Sequence, residues 1–130
     1  MNEQHSLISI VDDSDAVRES LPDLLRRVGF PVVAFGSAEA FLASETVSDT
    51  RCLILDIGLP GMSGPELQQE LSRRQHRPPI VFITAQGDAA SLCRQLVARG
   101  AVSCLFKPFT DGALIDAVGA ALERAEREDL

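Results

Sequence analysis

The sequence predicts a single doubly wound α/β domain, (βα)5, in which five parallel strands form one sheet with helices on both faces. Three observations predict it. Short apolar runs alternate with longer segments of helical period along the whole chain. Helix-boundary residues fall between those segments. The chain has 130 residues, 45% of them apolar, which suits one domain with one sizeable core.

The elements follow in order. The first apolar run, Leu7–Val11, ends in Asp12 and Asp13. A helical stripe of Val17, Leu21, Leu24, Leu25 and Val28 comes next, with Gly29 at its C-cap position. Pro22 falls inside that stripe, where it removes a hydrogen bond and costs about 3 kcal/mol. The stripe continues on both sides of it, so a kinked helix is expected rather than a break.

The second strand is Val32–Phe35 and the third is Cys52–Leu55, which runs into Asp56. Ser63-Gly64-Pro65-Glu66 reads as a capping box opening the next helix. Strand Ile80–Ile83 runs into Thr84, and a helix over Asp88–Ala98 closes at Gly100. Strand Ala101–Phe106 ends in Lys107. Leu114, Ile115, Val118 and Leu122 mark the last helix. The domain is expected over residues 1–122. Residues 123–130 are then a charged tail, or the start of a linker to an output domain that this sequence does not encode.

Charge and composition narrow the function. A formal net charge of −7 argues against direct grip on nucleic acid, whose phosphates would repel the domain. No apolar run approaches the roughly 20 residues of a membrane span. The N-terminus lacks the basic and apolar regions of a secretory signal, so a cytoplasmic location is expected. Cys52, Cys93 and Cys104 make no C-x-x-C pair and no zinc spacing, and read as free, buried small hydrophobes in a reducing compartment. Arg73, Arg74 and Arg77 read as a solvated helix end, and His5 and His76 as exposed polar residues.

The chemistry sits at the strand ends. Asp12 and Asp13, Asp56, Thr84 and Lys107 each follow an apolar run. In a parallel sheet those ends share the edge where open α/β folds bind ligands. Three carboxylates crowded there repel one another unless one is protonated or a cation joins them. An all-oxygen donor set with room for water suits Mg²⁺, with Mn²⁺ as a substitute. Lys107 is the one lysine among twelve basic residues, the rest being arginine. A compact, mobile ammonium fits a crowded carboxylate pocket better than a planar guanidinium does, and is expected to reach an oxygen of Asp56.

The set Asp12-Asp13, Asp56, Thr84-Ala85 and Lys107-Pro108 resembles the CheY-like receiver domains of two-component response regulators, over roughly residues 5–125. Asp56-Ile57-Gly58-Leu59-Pro60-Gly61-Met62-Ser63-Gly64 is similar to that family's phosphoacceptor loop. The stretch Val11 to Leu42 looks nearest to the FixJ-type branch. The resemblance implies a flavodoxin-like fold and a set of roles. Asp56 would accept a phosphoryl group from a sensor histidine kinase. Asp13, Asp56 and the Gly58 backbone carbonyl would hold Mg²⁺, with Asp12 acting through a water. Thr84 and Lys107 would contact phosphoryl oxygens, and the Lys107–Pro108 peptide would be cis. Gly58 and Gln86 hold the positions that tune hydrolysis in that family.

The same resemblance implies a switch in which Thr84 moves toward the phosphoryl group and shifts the following helix. An aromatic residue usually follows it inward three positions before the lysine. Here that position is Cys104, too small for the task, and Phe106 shares its strand face. Phosphorylation-dependent homodimerisation through Asp88–Phe106, and a place in a transcriptional regulator, are implied in turn. A stand-alone receiver acting through protein contacts is an alternative. A haloacid-dehalogenase-type phosphatase is disfavoured, because it wants a second acid where Gly58 stands.

Overall fold

The computed structural model describes residues 6–85 and 90–128. In chain order the elements are β1 (Ile8–Val11), α1 (Asp15–Val28), β2 (Val32–Phe35), α2 (Ala38–Ala43), β3 (Cys52–Asp56), α3 (Gly64–Arg73), β4 (Ile80–Thr84), α4 (Ala90–Ala98), β5 (Ser103–Phe106) and α5 (Asp111–Glu128). The sheet is parallel throughout, in the order β2-β1-β3-β4-β5. This is the doubly wound architecture that the alternating pattern predicts.

Strand parity divides the core into two layers. Ile8, Ile10, Cys52, Ile54, Val81 and Ile83 pack with Leu21 and Leu25 of α1 and with Leu114 and Val118 of α5. Val11, Leu53, Leu55, Ile80 and Phe82 pack on the other face with Phe41 of α2, Leu67 and Leu71 of α3, and Leu96 of α4. Both faces of β1, β3 and β4 are thus covered. Continuous burial explains why these strands read as unbroken apolar runs rather than as alternation.

Local chemistry sets the boundaries. The Ser14 hydroxyl accepts from the Val17 amide and starts α1, so the cap is Ser14 and neither Asp12 nor Asp13. Gly29 ends that helix at φ 109°, a left-handed conformation that disfavours any residue with a Cβ. The expected capping box forms at α3: the Glu66 amide donates to the Ser63 hydroxyl, and the Glu66 carboxylate accepts from the Ser63 amide. At the far end of α3, Glu70 takes ion pairs from Arg73 and Arg74, as a solvated helix end should. His76 is exposed, and His5 lies outside the described residues.

Two expectations need correction. The cysteines are not all free. Cys93 of α4 and Cys104 of β5 form a disulfide, with Cα atoms 5.8 Å apart. Their separation of 11 residues matches no local motif. They meet because α4 lies against β5, a contact that no short-range pattern encodes. Cys52 is the free, buried thiol, and burial pushes its pKa up to about 12. The α1 stripe also ends sooner than its spacing suggests. Helix α1 runs through Pro22, with Leu21, Pro22 and Leu25 buried, but Val28 is 46% exposed.

That helix phasing has a direct consequence. Leu25→Ala should cost about 2–5 kcal/mol by leaving a cavity. Val28→Ala should stay within about 0.5 kcal/mol, as surface changes do. Urea unfolding midpoints of the two variants decide it, and equal losses would contradict the burial difference.

Candidate functional site

Asp12 lies one residue past β1 and is fully buried. Its Oδ1 accepts from the Ser14 amide at 2.8 Å, which bends the chain into the start of α1. Its Oδ2 accepts from the Lys107 Nζ at 2.9 Å. A buried carboxylate needs such partners, since an unpaired charge away from water is costly. Asp13, beside it, is exposed.

Asp56 closes β3 and is nearly buried. Its Oδ1 accepts from the Gly58 amide at 3.2 Å, and its Oδ2 lies 3.8 Å from the Lys107 Nζ. Ligand oxygens of Asp12, Asp13 and Asp56 lie within 4.8 Å of one another, a spacing at which one cation can bridge them. Burial pushes the Asp56 carboxyl above its ordinary value. The Gly58 amide and Lys107 pull it down, while the charges of Asp12 and Asp13 push it up. An all-oxygen pocket with excess negative charge fits Mg²⁺ or Mn²⁺.

Thr84 ends β4, one residue past Ile83, the register partner of Asp56. Its hydroxyl donates to the carbonyl of Ala85 at 3.1 Å. Its own carbonyl accepts from the Lys107 amide at 2.8 Å, which fixes where the lysine leaves β5. The Lys107–Pro108 peptide is cis. Phe106 pairs with Thr84 across the β4–β5 ladder and is 36% exposed, while Cys104 pairs with Phe82 and packs at the edge of the core. Gln86 and Asp88 lie outside the described residues.

Three supports of the site have roles that the sequence pattern did not assign. The Arg18 guanidinium donates to the Asp12 carbonyl at 2.9 Å, and also pairs with Asp15. The Glu39 carboxylate of α2 accepts from the Met62 amide at 2.9 Å, which holds it below the usual carboxylate range and pins the loop after β3. Gly64 donates to the Ile57 carbonyl, and a Cβ there would stand 2.5 Å from the Asp56 carbonyl oxygen. The loop after Asp56 therefore folds back on the Asp56 main chain so closely that only glycine fits. Gly58 has open space around it.

The chain matches the model of the response regulator receiver domain family over residues 8–119. It is 47% identical over 119 residues to Nodulation protein W of Bradyrhizobium diazoefficiens, covering 92% of this chain and 52% of that protein. It is 40% identical over 121 residues to the transcriptional regulatory protein FixJ of Azorhizobium caulinodans, covering 93% and 57%. Among solved structures, the response regulator StyR superposes with a TM-score of 0.85 at 44% identity, covering 95% of this chain and 62% of that one. FixJ-N gives 0.80 at 39% identity, covering 90% and 93%. The chain spans about half the length of the curated relatives it matches.

Two outcomes test this geometry. The folded Asp56 holds its proton more tightly than the unfolded chain does, so the stability of its neutral form is complete below about pH 3.9. That stability is lost as pH rises through the folded pKa. In EDTA, Asp56→Asn should therefore melt higher than wild type at pH 7.5, and the gap should close toward pH 4; a lower melting point at pH 7.5 would refute the burial penalty. Gly64→Ala must displace the Asp56 main chain and should cost about 1–3 kcal/mol by urea unfolding. An unchanged midpoint would mean that the close approach is not real.

Proposed function

The chain belongs to the response regulator receiver domains of two-component systems, and on that footing we propose that Asp56 is its phosphoacceptor in a metal-dependent reaction. One observation carries the reading: three strand-end carboxylates within 4.8 Å of one another are met by one ammonium, 2.9 Å from Asp12 and 3.8 Å from Asp56. The donor is the phosphohistidine of a sensor kinase. An Asp56 carboxylate oxygen attacks phosphorus, the phosphorus–nitrogen bond breaks, and the imidazole leaves with the bonding pair.

Asp13, Asp56 and the Gly58 carbonyl would hold Mg²⁺, with Asp12 acting through a water. When bound, the ion offsets the charge on the transferring oxygens and keeps the Asp56 carboxylate ionised. Lys107, 3.8 Å from Asp56 Oδ2, would meet a phosphoryl oxygen. The Thr84 hydroxyl is spent on the Ala85 carbonyl, so donation to the phosphoryl group requires it to turn. Such transfers need alignment and charge stabilisation more than covalent help. Water then cleaves the acyl phosphate, and the switch resets without a separate enzyme.

A cytoplasmic site of action follows from this partner. The match covers 51% and 57% of the relatives named as transcriptional regulators, which supports a regulatory role within a longer regulator. Dimerisation through α4 and β5 on phosphorylation is part of the same reading, with Thr84, Cys104 and Phe106 lining the route to that face.

Incubation with Mg²⁺ and acetyl phosphate, followed by intact mass measurement, tests the chemistry. Wild type should gain one phosphoryl group, and EDTA or Asp56→Asn should abolish the gain. Lys107→Ala should slow uptake at least tenfold. Equal labelling of wild type and Asp56→Asn would overturn the assignment.

A further inference from the structure

The disulfide between α4 and β5 plays no part in phosphoryl transfer, yet it ties together two elements beside the Thr84 edge. Cys104 lies opposite Phe82 in the ladder, two residues before Phe106, the register partner of Thr84. Cys93 sits one turn into α4, the helix that follows the loop after Thr84. The Cα atoms stand 5.8 Å apart, inside the range that a disulfide spans without backbone movement. Both cysteines line a surface dent with Arg94, Val97, Val102 and Ser103, Cys104 half-buried and Cys93 6% exposed, so the pair lies just beneath the surface there. The third cysteine is fully buried and holds its proton, so it cannot compete in thiol exchange.

We infer that Cys93 and Cys104 form a reversible dithiol–disulfide switch that fixes α4 against β5 when oxidised and frees it when reduced. The co-reactant is a small-molecule disulfide of the glutathione class. One protein thiolate attacks its sulfur and releases one glutathione thiolate, leaving a mixed disulfide. The second cysteine displaces the other glutathione. Two protein thiols thus lose two electrons and two protons, and one glutathione disulfide becomes two thiols. In a reducing cytoplasm a disulfide of this kind is transient and redox-sensing rather than a permanent brace.

The bond also bears on output. Under the proposed reaction Thr84 must turn toward Asp56, and the next described element after it in the chain is α4. A helix bonded to β5 cannot follow that displacement as freely as an unbonded one. The oxidised form is therefore expected to respond less to phosphorylation, a consequence that rests on the Asp56 reading. The redox pair itself does not rest on it.

The test uses the full chain, equilibrated in glutathione buffers from fully reduced to fully oxidised and approached from both ends. Native alkylation with N-ethylmaleimide and intact mass measurement then count the accessible thiols. Two labels are expected in the reduced form and none in the oxidised form, with Cys52 silent in both. Hydrogen exchange with no phosphodonor present should be at least tenfold slower over residues 90–98 in the oxidised form. Cys93→Ser and Cys104→Ser, made singly, should each erase that difference. The proposal is overturned if both thiols stay free at every ratio, if a mixed glutathione adduct is the end product, or if the bond forms while exchange over 90–98 does not change. Acetyl phosphate labelling, run separately on both forms, tells a failed phosphoacceptor from a failed switch.

Discussion

The structure depends on one pairing across the sheet edge, the Asp12 carboxylate with the Lys107 ammonium. Asp12 is fully buried, and its charge needs an opposite charge within hydrogen-bond reach. The partner is not supplied by a neighbouring strand. In the order β2-β1-β3-β4-β5, the ends of β1 and β5 are separated by those of β3 and β4. The lysine therefore reaches back over the strand ends, and Asp56 lies on its path, 3.8 Å from the same nitrogen. Fold stability and site chemistry meet in that geometry. The ammonium that neutralises Asp12 is held where a charge gained on Asp56 would compete for it.

The other contacts of the site hold its two buried carboxylates in place. Asp12 is fixed from three directions, by the Ser14 amide, the Lys107 ammonium, and the Arg18 contact to its carbonyl. Asp56 is held by its strand and by the close packing of Gly64, while Glu39 secures the loop through Met62. Asp13 is the exposed member of the acidic set. Two carboxylates are thus positioned by the fold and one is free to adjust, which suits a cation that keeps part of its water shell.

How much of this was legible in the sequence depended on range. The strand ends were legible because burial on both faces makes β1, β3 and β4 apolar up to the residue that emerges, and that residue is Asp12, Asp56 or Thr84. The Ser63–Glu66 box and the Gly29 cap were legible because each closes within a few residues. Contacts that join distant segments were not. Nothing near residue 39 foretells Met62, and nothing in the spacing of Cys93 and Cys104 foretells their bond. The sequence brought Lys107 to the acidic edge with Asp56, not Asp12, as its expected partner. The structure corrects this by burial: the fully buried Asp12 takes the hydrogen bond and Asp56 the longer contact.

Strand parity is what connects the site to the surface. Thr84 and Phe82 on β4, and Cys104 and Phe106 on β5, point to the side of the sheet where Leu96 of α4 packs. Lys107 falls on the opposite parity, and its amide is bonded to the Thr84 carbonyl. Residue 84 is therefore held by its main chain to the strand that carries the ammonium, while its hydroxyl donates to the adjacent Ala85 carbonyl. Breaking that part-buried hydrogen bond costs on the order of 1 kcal/mol, well within what a new charge-assisted bond returns. The hydroxyl can turn without unmaking the ladder, because the bond that ties Thr84 to the Lys107 amide is made by its main-chain carbonyl.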